Sequence, residues 1–134
     1  MQIDQFAASP IAQFFQSSRK IQRQYSFFSS ENAEQPEVQK FVDELAAAYK
    51  LYLARLYRVP TFFWSERKIL IDIRKNYSTE YGELRSLFRK DLAELSRAQK
   101  AQGKMSAQDC RQLSDLIRKH IDQIEAVHQS GAKQ

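Results

Sequence analysis

Apolar residues recur along this chain at steps of three and four, and the spacing divides it into helical stretches separated by polar or proline-containing breaks. A first helix opens at Ser9-Pro10, a hydroxyl N-cap followed by the proline that suits a first helical position. Its stripe is Ile11, Phe14, Ile21, Tyr25 and Phe28, so it is expected to run to about Phe28. Ser29 to Gln35 is polar and acidic without periodicity and reads as a loop. Pro36 starts a second helix bearing Val38, Phe41, Val42, Leu45, Tyr49, Tyr52, Leu53 and Leu56. It must end near Arg58, because Pro60 lacks an amide hydrogen and disfavours helical geometry at Val59.

Ser65 caps a third helix whose apolar positions are Leu70, Ile73, Tyr77, Tyr81, Leu84, Phe88, Leu92 and Leu95, ending at Gly103. Asn76, Ser78 and Thr79 are poor helix formers and mark where it would break and fold back, but the register on either side agrees and predicts one continuous helix. Unbroken, it would span roughly 50 Å and overhang its neighbours, leaving apolar surface for a homodimer or another partner. Ser106, with Asp109 three residues on, resembles a capping box and opens a fourth helix carrying Cys110, Leu113, Ile117, Ile121, Ile124 and Val127, which Gly131 is expected to stop. Amphipathic helices must bury their stripes against one another, so the pattern predicts an all-α, four-helix-bundle-like fold with a long third helix. A single domain over residues 1–134, with flexible ends at 1–8 and 129–134, completes the expectation.

Composition agrees with helices. Three glycines and three prolines in 134 residues are too few for the turns of a sandwich or barrel. Cys110 is the only cysteine, which excludes an intrachain disulfide and a cysteine-based zinc site, and fits a reducing, cytoplasmic setting. No apolar run approaches the roughly 20 residues that span a bilayer.

Catalytic equipment is sparse. Glu125-Ala126-Val127-His128 has the i, i+3 spacing of di-iron bundles, but a second copy is missing: the other histidine, His120, has no glutamate three residues before it. His128 therefore reads as part of a solvated helix face, and neither a metal nor another cofactor is expected. Cys110 lies on an apolar stripe, as a small core residue would. Nucleophile elbows and phosphate-binding loops are lacking. Carboxylates alternate with basic residues, as in Glu83-Arg85 and Asp91-Glu94-Arg97, and read as solvated surface. The chain is not expected to be an enzyme.

Charge picks out one region. The net charge is +5, and in residues 55–75 Arg55, Arg58, Arg67, Lys68, Arg74 and Lys75 stand against only Glu66 and Asp72. Tyr57, Phe62, Phe63 and Trp64 are interleaved with them, either as a hydrophobic plug closing one end of the bundle or as a binding surface in which arginine and aromatic side chains act together. The function expected is a non-enzymatic protein–protein interaction or adaptor module, a helical bundle docking another protein through this basic, aromatic-rich corner. The alternative is a small nucleic-acid-binding helical protein using the same residues.

Overall fold

The computed structural model of the chain describes residues 9–59 and 65–132. Among them are five α-helices, one 3-10 turn and no strand: α1 (Pro10–Gln24), the turn Ser26–Phe28, α2 (Gln35–Leu56), α3 (Glu66–Asn76), α4 (Ser78–Lys100) and α5 (Ala107–Ala132). The fold is all-helical, with five helices in place of the four expected. No helix among the described residues is long and apolar enough to cross a membrane.

The capping chemistry operates as the sequence implied. Ser9 accepts from the amide of Ala12 at 3.3 Å and Ser65 from that of Lys68 at 3.1 Å. At the start of α5 both halves of the capping box form, Ser106 Oγ accepting from the Asp109 amide at 3.0 Å and Asp109 Oδ2 from the Ser106 amide at 3.4 Å. At its other end α5 runs through Gly131 to Ala132, so glycine does not stop it there and residues 129–132 are helical.

α1 stops at Gln24, earlier than expected, because Tyr25 turns extended. A continuous helix would place Phe27 off the stripe of Ile21 and Tyr25. The break instead brings Phe27 fully inside, stacked on Tyr25 at 5.6 Å and edge-on to Phe41 at 5.4 Å. Arg111 of α5 fastens this turn, donating to the carbonyls of Phe27 at 2.6 Å and Ser30 at 3.2 Å.

α2 is the central helix and packs against each of the other four. Ten of its residues are buried, which explains the clarity of its pattern. It ends in a Schellman arrangement: Arg58 is left-handed (φ 56°), and the Val59 amide donates to the Ala54 carbonyl at 2.8 Å. Arg58 thus stands in the position glycine normally takes.

The expected long helix breaks at Tyr77, whose backbone (φ −137°, ψ 55°) leaves the helical region. α3 then lies back along α4, so that Glu66 and Leu70 share a groove with Arg89, Leu92 and Ala93. Breaking costs little at Asn76-Tyr77-Ser78, where helix propensity is low. It lets Ile69 and Ile73 bury on one side of the turn while Leu84 and Phe88 bury on the other. The overhang that motivated a homodimer is removed with it.

Candidate functional site

Two arrangements of polar side chains stand out, one inside the bundle and one on it. Inside, α2, α4 and α5 meet in tiers of tyrosine, carboxylate and histidine. Tyr49 donates its hydroxyl to Asp91 Oδ2 at 2.7 Å, and the other oxygen of Asp91 pairs with His120 Nδ1. All three are buried, Asp91 completely. Eight residues on from Tyr49 and from His120, at the C-cap of α2 and within α5, the ring of Tyr57 is edge-on to His128 at 5.4 Å, and the Glu80 carboxylate takes His128 Nδ1 at 3.0 Å. Between the tiers Tyr52 donates to Glu125 at 2.7 Å.

Burial dominates the acid–base chemistry of this column. It pushes the Tyr49, Tyr52 and Tyr57 phenols well above their ordinary range, reinforced by Asp91, Glu125 and Glu80 respectively. It also raises Asp91, against the hydrogen bonds from His120 and Tyr49 that pull it back down. Two expectations are corrected here: Asp91 is core and not solvated surface, and His128 is a partly buried partner of Glu80 and not an exposed helix face. A helix-face count carried the missed signal, since Asp91 lies seven residues after Leu84 and three after Phe88.

The column makes a poor reaction site. The small cavity beside it, about 300 Å³ between Tyr77, Ser78, Glu80 and Val127, is not lined by His128. Among the described residues no group of three or more histidine, cysteine, aspartate or glutamate side chains is placed to hold a metal. Cys110 is fully buried, and burial moves its thiol up to about 11, away from thiolate chemistry.

The second arrangement is the outer surface of the α3–α4 hairpin. Of the residues singled out at the basic corner, Arg55, Arg58, Arg67, Arg74 and Lys75 are exposed, and Lys68 is half-exposed and bridged to Asp72 at 3.0 Å. Tyr57 is buried, packed edge-on against Tyr77 and Phe88, so it belongs to the plug and not to a binding surface. Phe62, Phe63 and Trp64 lie outside the described residues. The hairpin adds cations the sequence reading left out: Arg85 and Arg89 of α4 come together with Arg74 of α3 around one groove.

This surface is more positive than its composition. α3 and α4 carry nine lysines and arginines and six carboxylates. Five of the carboxylates are engaged: Glu66 with Lys50, Asp72 with Lys68, Glu80 with His128, Glu94 with Arg97, and Asp91 inside the core. Glu83 alone is exposed without such a partner, whereas among the described residues only Lys68 and Arg97 of the nine cations meet a carboxylate. Folding therefore sorts an alternating charge pattern into carboxylates that are engaged and cations that are not. No known family model, curated protein or solved structure matches this chain.

Proposed function

We propose that the chain is a non-enzymatic docking module that holds an acidic macromolecular partner on the outer face of the α3–α4 hairpin. The observation that carries this reading is the segregation of charge just described, which leaves seven cations on two adjacent helices without a carboxylate partner among the described residues, against one such carboxylate. Such a field steers anionic partners and raises their encounter rate. The Tyr49–Asp91–His120 tier and the Tyr52–Glu125 pair fit the non-enzymatic part, because the polar atoms that meet there are spent on one another between helices.

A protein partner is what the sequence suggested, with Phe62, Phe63 and Trp64 as its apolar anchors. The described part of the corner offers charge with little apolar surface, Ile71 being its one well-exposed large hydrophobic residue. Retention on an immobilised polyanion tests the reading. Replacing Arg74, Arg85 and Arg89 by glutamate should lower the salt needed for elution far more than the same replacement of Arg19, Lys20 and Arg23, which are exposed on α1. Equal losses would show that net charge acts without a defined face, and the reading would fall.

A further inference from the structure

A groove runs between α3 and α4. One part, about 410 Å³, is walled by Arg74, Ser78, Tyr81, Gly82, Arg85 and Arg89. The other, about 490 Å³, shares Arg89 and continues past Ala93 and Ser96 to Lys100. Ser78, Gly82, Arg85, Arg89, Ala93, Ser96 and Lys100 follow one another at steps of three and four, so they form a single stripe along α4 about 33 Å long. Its uncharged members are all small. The floor is therefore low and the cations stand above it, and a Cβ added at Gly82 would meet nothing within 4 Å.

Each feature narrows the chemistry of the occupant. Glu66 is the only carboxylate among the lining residues, and it is held by Lys50 at 3.8 Å. A protein ligand would want an apolar pocket for a buried anchor, whereas the apolar lining here is scattered along the groove as Leu70, Ala93 and the Tyr81 ring, with Leu92 already buried. A phosphodiester chain needs no such pocket, because it carries a charge at every residue. Packed helices touch at an axial separation of about 8–10 Å, so the groove is a furrow along their line of contact that can follow one phosphodiester backbone. Tyr81, half-buried against Phe88, places an aromatic ring on the rim where a base can stack.

We propose that this groove binds single-stranded nucleic acid, with backbone phosphates held by Arg74, Arg85, Arg89 and Lys100 and a base resting on Tyr81. The proposal rests on the reading of the hairpin face as the docking surface and names its ligand.

Fluorescence anisotropy of the full chain with a labelled 20-nucleotide single strand tests it, with the matching duplex and polyglutamate as separate ligands. Four phosphate contacts give a logarithmic salt slope of about −2.8, so a rise from 50 to 200 mM salt should weaken binding about fiftyfold. The triple variant Arg74→Ala, Arg85→Ala, Arg89→Ala should bind more weakly at 50 mM, lose only about threefold over the same range, and keep its helicity by circular dichroism. Absence of strand binding, an unchanged salt slope in the variant, or a duplex bound as tightly as the strand would overturn the proposal. Polyglutamate captured in place of the strand, and lost in the variant, would overturn it while leaving the docking reading intact. A variant that loses affinity for none of these ligands would overturn both.

Discussion

Truncating Asp91 to alanine is the sharpest test of the interior. In the folded protein both its oxygens are used, one on the Tyr49 hydroxyl at 2.7 Å and the other on His120, and the carboxylate is completely buried. Alanine leaves a buried phenol and a buried imidazole without their partner. Each loss costs about 1–3 kcal/mol, and breaking a buried pair costs about 3–5 kcal/mol in all. For a chain of this size that corresponds to a drop of roughly 10–20 °C in Tm. Urea unfolding followed by far-ultraviolet circular dichroism should show the loss as a lower midpoint at unchanged slope. Replacing the whole tier, with Tyr49→Phe, Asp91→Leu and His120→Leu together, should recover most of the stability, since no polar group is then left unpaired. A loss below about 1 kcal/mol in Asp91→Ala, as expected of a solvated residue, would refute the reasoning.

The same residue sets a pH dependence. Burial raises Asp91 in the folded state, so the native protein holds this proton more tightly than the unfolded chain does. Its contribution is complete below the unfolded value of about 3.9 and is lost as pH rises through the folded value. Asp91→Asn has no such proton, so the stability gap between wild type and this variant should narrow from pH 4 toward pH 7. A widening gap would contradict the assignment.

Further expectations come from the backbone and from the thiol. Gly82→Ala lies inside α4 with open space around the new methyl and should stabilise the fold by about 0.5–1 kcal/mol. Gly103→Ala should destabilise it by at least about 1–3 kcal/mol, because φ is +81° and the methyl would press on the Gln35 carbonyl; thermal unfolding of the pair should shift in opposite directions. Arg58→Gly should gain about 0.5–1 kcal/mol at its left-handed position, and a loss of stability in urea unfolding would contradict that reading of the helix end. Cys110, buried with its thiol pushed up to about 11, should resist alkylation at pH 8 in the native protein and react on unfolding.

What the sequence revealed and what it concealed have separate physical causes. Helix starts were legible because Ser9, Ser65 and Ser106 act locally, each on an amide three residues on. α2 was legible because it packs against each of the other four helices along a nearly pure apolar stripe, while Lys40, Asp43, Ala47 and Arg55 mark its exposed face. The break at Tyr77 was marked by Asn76, Ser78 and Thr79, yet its sense depends on α3 finding burial against α4, a tertiary gain that periodicity does not contain. The early end of α1 has the same origin, in the packing of Phe27 on Phe41. Asp91 and His128 were read as surface because charge was weighed before helix position. Asp91 and Glu80 lie on the apolar stripe of α4 by simple counting, and His120 and His128 do so on α5 beside Ile117, Ile121 and Ile124. That error also concealed the basic face. Once Asp91 is placed inside and Glu80 on His128, the alternation of charge along the hairpin resolves into a stripe of cations without carboxylate partners, and Arg85 and Arg89 join Arg74 although residues 55–75 alone had drawn attention.

The docking claim is tested most directly by amide chemical-shift mapping of the labelled protein as the single strand is added at low salt. Shifts should concentrate at Arg74, Ser78, Gly82, Arg85, Arg89 and Lys100 and collapse when salt is raised to 200 mM. Shifts centred on α1 or α5, or a spectrum that neither the strand nor polyglutamate changes, would contradict the account.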